Sequence, residues 1–309
     1  MTHHTVGVDV SKDWLDAHRL ADRTDRRFIN TKTGWRALIK WSQGALVAFE
    51  PSGPYHRGLE QALAAADLPA VKINPLQARR FAQAIGTRAK TDKVDARILA
   101  RMAAVLELPP TPPPSDTIRQ LKELIGARQA LVKDRTAAKN RIKQLSIELL
   151  IRQANDRLQQ IETQLKAIET EIAATIESDP DLAAKLDILT SIPGFSTTSA
   201  SLLIAEAPEL GTLEAKQAAC LAGLAPFTRQ SGKSKGRSMI AGGRALLRQT
   251  LYMPALVAAR FNHDLKLVYQ RLRDAGKPPK LALTALMRKL FILANALIRD
   301  NRQWAPQRP

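Results

Sequence analysis

Two carboxylates three residues apart, Asp92 and Asp95, lie in the stretch Lys90-Thr91-Asp92-Lys93-Val94-Asp95-Ala96-Arg97, and the apolar run that follows to Leu106 predicts a helix. Residues at i and i+3 share a helix face, so the two acids point the same way. Like charges on one turn repel by a few tenths of a kcal/mol. The flanking cations Lys90, Lys93 and Arg97 can offset that, as an ordinary charged surface would, and so can a bound metal ion. Two further acids favour the metal. Asp9 stands inside the β-branched run Thr5-Val6-Gly7-Val8-Asp9-Val10, and Glu50 ends the buried-type run Ala45-Leu46-Val47-Ala48-Phe49. Each occupies a place where a structural residue would be Val or Ile, and an unpaired buried carboxylate costs several kcal/mol or takes up a proton. A divalent cation shared by Asp9, Glu50, Asp92 and Asp95 removes that cost. Oxygen ligands suit Mg²⁺, with Mn²⁺ as the alternative. Four acids can hold two ions about 3.5–4 Å apart, the clamp used for in-line attack at phosphorus.

The elements that must position these acids read as a sheet. Thr5–Val10, Trp14–Leu20 and Arg27–Asn30 are strand-like, Gly34–Trp41 is an amphipathic helix, and Ala45–Phe49 is a strand ending in the turn signal Pro51-Ser52-Gly53-Pro54. A helix over 55–66 and a strand over Ala70–Ile73 follow, an order expected of an α/β sheet rather than a bundle. Leu108-Pro109-Pro110-Thr111-Pro112-Pro113-Pro114 holds five prolines in seven residues and reads as a semi-rigid spacer. Beyond it the chain is expected to be all-α. Leu124, Leu131, Ala138, Ile142, Leu145 and Leu149 form one apolar seam, interrupted by Arg128 and Arg135, and Leu158, Ile161, Leu165, Ile168 and Ile172 form a second. Both predict coiled-coil helices, joined by a turn near Asn155-Asp156 and either folded on each other or paired with a second copy. The expected division is 1–107, a linker over 108–115, coiled-coil helices over 116–178 and a C-terminal domain over 179–309.

In that last part, Leu189-Thr190-Ser191-Ile192-Pro193-Gly194-Phe195-Ser196 resembles the turn of a helix-hairpin-helix, with Gly194 at the point where backbone amides can meet a phosphate; a plain αα-hairpin is the alternative. Gly223 to Ser238 carries three serines and the cations Arg229, Lys233, Lys235 and Arg237, and its composition predicts a mobile, phosphate-binding loop. Arg244 and Arg248 follow on one face of a predicted helix, spaced for phosphates.

The 309 residues carry a net charge of +18, of which +11 falls within 181–309, nineteen Lys/Arg against eight Asp/Glu. A basic C-terminal third is an electrostatic footprint for nucleic acid. Cys220 is the single cysteine, which excludes an internal disulfide and a cysteine-built zinc site. The N-terminus shows no signal region and no uninterrupted run reaches about 18 apolar residues, so the expectation is a cytoplasmic, nucleoid-associated protein with no membrane role.

Three of these motifs together resemble a known family. Gly7-Val8-Asp9-Val10-Ser11-Lys12, Phe49-Glu50-Pro51-Ser52-Gly53 and Lys90–Ala96, with Asn74-Pro75 and Phe81-Ala82 between them, are similar to the DEDD motifs of a RuvC-like, RNase H-fold domain. That domain opens one large group of bacterial insertion-sequence transposases, the bridge-RNA-guided group to which Piv-type invertases are related. The order Gly-Leu-Ala-Pro, Ser-Gly, Gly-Arg, Leu-Arg, Leu-Tyr-Met-Pro-Ala from Gly223 onward, and Met287-Arg288-Lys289-Leu290, is similar to the serine-bearing C-terminal domain of the same group. The resemblance implies that Ser231 is the nucleophile, with Ser234 and Ser238 as neighbours that spacing alone does not exclude. It implies a composite site, carboxylates from the first domain and serine from the last. It also implies DNA as donor and target, a structured guide RNA, and a homodimer or tetramer. A metal-dependent nuclease or junction resolvase using water, and a non-catalytic nucleic-acid-binding protein, are the competing readings, and a site-specific DNA invertase of the same architecture is a variant of the main one.

Overall fold

The computed structural model describes residues 4–87, 92–228, 230–231, 234–236 and 238–306, with Asp92, Lys93, Gln230, Ser231, Ser234 and Lys235 described by backbone alone. The chain forms two compact units, Met1–Pro113 and Pro114–Pro309.

The first unit is built on β1 (Thr5–Val10), β2 (Trp14–Arg19), β3 (Thr24–Ile29), β4 (Leu46–Phe49) and β5 (Ala70–Lys72), in the order β3-β2-β1-β4-β5. β2 runs antiparallel to β1 and β3, whereas β4 is parallel to β1 and β5 to β4. Alternate residues of a strand face opposite ways, and the two faces here have different covers. Val6, Val8, Val10, Val47 and Phe49 pack with Leu38 of α1 (Lys32–Trp41) and with Leu59 and Leu63 of α2 (Arg57–Ala65). Ala48, Val71 and Ile73 pack instead with Ala78 of α3 (Pro75–Ala84) and with Leu99, Met102 and Ala103 of α4 (Asp92–Val105). Burial on both faces makes β1 and β4 near-continuous apolar runs. Gly7 lets α4 lie directly on β1. A Cβ there would sit 2.0 Å from the carbonyl oxygen of Ala96 and 2.5 Å from the amide of Ala100.

The helix α3 had no strong signal in the sequence because it buries only Ala78. Its start is nonetheless encoded: Asn74 Oδ1 accepts the amide of Leu76 at 2.9 Å and Pro75 takes the first helical position. The proline-rich run is docked rather than free. Thr111 donates its amide to Ala70 O at 2.7 Å, and its Oγ1 accepts from Lys72 N at 3.3 Å. The prolines beside it therefore cover the open edge of β5.

The second unit begins with α5 (Asp116–Ile142) and α6 (Glu148–Glu177), which fold back on each other as an antiparallel hairpin. The turn lies over 143–147, not at Asn155-Asp156. Those two residues sit within α6 with their polar side chains exposed, and no proline or glycine breaks the helix there. Leu131 and Ala138 meet Leu158, Ile161 and Leu165. Arg128, which interrupts the seam, is held by Glu169 of the opposite helix at 2.6 Å. The base of the hairpin (Ile118, Leu121, Ile125, Ile172 and Ile176) belongs to the same core as the C-terminal helices.

That core surrounds α13 (Pro279–Arg299), whose Leu286, Leu290, Phe291 and Ala294 are fully buried. By length and composition α13 could cross a membrane, although its sequence is interrupted by Lys280, Arg288 and Lys289. Here it is the central helix around which α7 (Pro180–Ser191), α8 (Thr197–Glu206), α9 (Ala215–Leu221), α10 (Ala245–Thr250), α11 (Tyr252–Phe261) and α12 (His263–Asp274) pack. Its one buried amide, Asn295, accepts from Gly211 N at 2.9 Å and donates to Leu213 O at 2.7 Å.

Candidate active site

The register of β1 and β4 brings two of the acids together. Val8 pairs with Phe49, so the next positions, Asp9 and Glu50, lie side by side at the carboxyl ends of parallel strands about 4.8 Å apart. Both have the parity of Gly7 and Ala48 and therefore face the α4 side of the sheet. Because α4 touches β1 through Gly7 and Ala96, Asp95 comes over the same strand ends. Asp9, Glu50 and Asp95, all half-buried, line one cleft of about 1110 Å³ together with Ser52, Arg79 and Thr87. The carboxyl ends of strands are where open α/β sheets hold their ligands. Asp92 opens α4 one turn earlier. Its side chain, like those of Lys93 and Lys235, lies outside the described residues, as do Lys90, Arg229, Lys233 and Arg237.

The donor set fits a hard divalent cation. Three carboxylates lead into one polar cleft at a point where the strands would otherwise be apolar, and oxygen ligands are what Mg²⁺ takes. Among the described residues no three His, Cys, Asp or Glu side chains stand close enough to hold an ion as they are. Asp9, Glu50 and Asp95 each have a partner already.

A fifth acid was not singled out by its sequence position. Asp16 on β2 pairs in register with Asp9, is 5% exposed, and is met by Arg27 of β3 through Nε–Oδ1 and Nη2–Oδ2 bonds of 2.9 Å each. The signal was available in principle, as an acid at an inward position of an alternating strand. Arg97 has a definite role in the first unit. Its guanidinium reaches from α4 to Asp25 on β3, and the same carboxylate meets Nδ1 of the buried His18 on β2 at 2.7 Å. Arg97 holds the carboxyl of Asp25 below the usual carboxylate range, with His18 adding to the effect. Helix, strand and strand are thereby linked on the side of α4 next to the acids.

In the second unit the segment expected to be a mobile loop is a paired ribbon. β6 (Pro226–Phe227) pairs with β9 (Met239–Ile240), and β7 (Gln230–Ser231) pairs with β8 (Ser234–Lys235). Ser231 and Ser234 are register partners, and Ser238 lies outside that inner ladder, next to β9. The base is clamped by backbone. A Cβ on Gly223 would lie 2.2 Å from Gly242 O, and one on Gly243 would lie 2.1 Å from Gly223 N. Arg244 and Arg248 serve this clamp. Arg244 donates to Glu209 at 2.7 and 3.0 Å and its amide bonds Leu221 O, while Arg248 donates to Gly242 O at 2.8 Å. Gly194, with φ of 125°, packs against α11, where a Cβ would come within 2.6 Å of Pro254 O.

Residues 6–147 match a DEDD-type transposase model, and residues 186–270 match the model described as Transposase IS116/IS110/IS902 family. Over 98% of its length the chain is also 30% identical to 98% of the pilin gene-inverting protein of Moraxella bovis. The chain belongs to the IS110 transposase family. A second relative, the pilin gene-inverting protein of Moraxella lacunata, is again 30% identical over 98% of each chain. The IS110 element's 43.6 kDa protein of Streptomyces coelicolor is 28% identical over 53% of this chain and 40% of its own. As an IS110-family transposase this protein is an enzyme of DNA recombination or transposition, with DNA as its substrate. Its first domain is RuvC-like, and membership implies dependence on a divalent metal.

Proposed function

We propose that this IS110-family protein is a site-specific DNA recombinase that breaks and rejoins strands through a covalent serine intermediate. In this reading Ser231 Oγ forms a bond to the scissile phosphorus, the sugar oxygen on the other side leaves with a proton, and the phosphoserine ester conserves the bond energy for rejoining. Asp9, Glu50, Asp92 and Asp95 hold Mg²⁺, or Mn²⁺ in its place. When bound, the ion would draw charge from phosphate oxygens. The chain's own cations near Ser231, Arg229, Lys233, Lys235 and Arg237, steady the phosphate, and Lys90 and Lys93 steady DNA near the acids. A structured RNA guides the choice of donor and target, and copies of the chain act as a dimer or tetramer in the bacterial cytoplasm at the nucleoid.

The observation that carries the reading is the match to the family over both parts of the chain, with Asp9, Glu50 and Asp95 of the first part lining one cleft. Its test is capture of a covalent adduct on a nicked suicide substrate. The expected result is an adduct that needs Mg²⁺, is lost in Ser231→Ala and persists in Ser234→Ala and Ser238→Ala. An adduct surviving Ser231→Ala, or hydrolysis with no adduct at all, would overturn it in favour of a water-using nuclease. RNA carried through purification, and lost activity after its removal, tests the guide.

Inversion is a second reading, favoured by the full-length likeness to a pilin gene-inverting protein. A plasmid with inverted sites and a donor–target pair separate the two outcomes.

A further inference from the structure

The second unit holds a groove of about 1050 Å³ that the proposed chemistry does not use. Its floor is apolar, from Leu265 and Val268 on α12, Ile292 and Leu293 on α13, and Met239 and Ile240 on β9. Met239 and Ile240 are exposed although large and apolar; they follow Ser238, which also lines the groove, on a ladder separate from the β7–β8 pair of Ser231 and Ser234. Cations line the groove. Arg288 is half-buried in it, and among the described residues it makes no hydrogen bond and no ion pair. Lys289 next to it is exposed, and Arg302 has only a loose pairing with Asp300 at 3.7 Å. The acid in the lining, Asp264, is already engaged, in part by His263 at 3.4 Å. At the floor, Asn262 is fully buried, and its Nδ2 has no acceptor among the described residues.

A half-buried guanidinium with no counter-charge among the described residues, beside an exposed lysine, favours an anionic ligand. The apolar floor says which kind. Duplex DNA presents phosphates and keeps its bases inside, so it would leave the floor uncovered. An unpaired strand presents both, phosphates for Arg288 and Lys289 and base faces for the floor and for Trp304 at its end. We propose that this groove binds an unpaired DNA strand, the one separated from its complement beside the serine ribbon. The inference rests on the chain acting on DNA strands at that ribbon, but the binding itself needs no chemistry.

The test uses the full-length Ser231→Ala protein, so that loss of cleavage and loss of binding are read separately. Fluorescence anisotropy compares a labelled unpaired DNA 12-mer, the blunt duplex of the same sequence and the matching RNA strand. Arg288→Ala should weaken the unpaired DNA about tenfold, as expected for losing a charged hydrogen bond. Binding to duplex should change less than twofold, and the slope of log affinity against log salt should fall by about 0.7. Ala285→Phe, which fills the groove from α13, should act in the same direction. Photocrosslinking of 5-iodouracil DNA to the unaltered groove should label Trp304 or α13, a readout independent of any variant's folding. Equal losses for strand and duplex, a preference for the RNA strand, or crosslinks confined to other helices would each overturn the proposal.

Discussion

Replacing Gly7 by alanine tests whether α4 owes its position over the acids to a missing side chain. The added Cβ would stand 2.0 Å from Ala96 O, where ordinary contact begins at 3.4 Å, and both atoms belong to regular backbone with no flexible end to move. The helix must therefore retreat by about 1.4 Å, or β1 must bend away by as much. Overpacking of this kind costs about 1–3 kcal/mol of stability, less than the about 5–15 kcal/mol typical of a folded protein. The consequence for chemistry is larger. Asp92 and Asp95 travel with α4 while Asp9 and Glu50 stay with the sheet, and a displacement of about 1 Å at reacting groups can lower a rate about 100-fold. Divalent-ion affinity, read by calorimetry with Mn²⁺, and single-turnover adduct formation should both fall in a protein that still unfolds cooperatively in urea. Gly7→Ala with reduced stability but unchanged ion affinity and adduct rate would refute the argument that the α4–β1 contact sets the acids' spacing.

Three further outcomes follow from the same contacts. Arg27→Leu leaves the buried Asp16 unpaired beside Asp9. It should cost about 1–2 kcal/mol after discounting for the half-exposed guanidinium, and Asp16→Asn in the same chain should recover part of that loss in urea denaturation; additive losses would contradict a direct pairing. Asn295→Leu strands the amide of Gly211 and the carbonyl of Leu213 inside the second unit and should cost about 2–4 kcal/mol, seen as a lowered melting temperature with the first unit's transition unmoved. Burial holds the imidazole of His56 below its ordinary pKa of 6.5, with Lys72 adding to the effect. The unfolded chain thus takes up a proton first as pH falls through about 6.5, and stability falls with it. His56→Gln should flatten that part of the stability-versus-pH curve, and an unchanged slope would refute the assignment.

The elements around the acids were legible because the sheet's chemistry is local. β1 and β4 are apolar on both faces, so an acid at position 9 or 50 stands out against its neighbours, and the expected strands agree with the observed ones within a few residues. Elements whose stability comes from elsewhere were not legible. α3 buries one alanine and gave no periodicity, and the hairpin turn at 143–147 carries neither glycine nor proline. The ribbon bearing Ser231 is made of two-residue ladders, too short for any alternation to register, and its glycine-rich composition reads as loop. The pairs Asp16–Arg27, Arg97–Asp25 and Arg244–Glu209 join residues 11, 72 and 35 positions apart. No helical or strand spacing signals such partners. Arg97, Arg244 and Arg248 stand out in the sequence by charge alone, and their contacts with Asp25, Glu209 and Gly242 O are visible only in the fold.

The clamp of Gly223, Gly242 and Gly243 has a consequence for how such proteins can be altered. It closes the neck of the ribbon with main-chain atoms in close contact, braced by the Arg248 guanidinium on Gly242 O. An exchange of this segment between related chains must therefore keep all three glycines, and because Met239 and Ile240 belong to the groove beside α12 and α13 it would carry that wall with it.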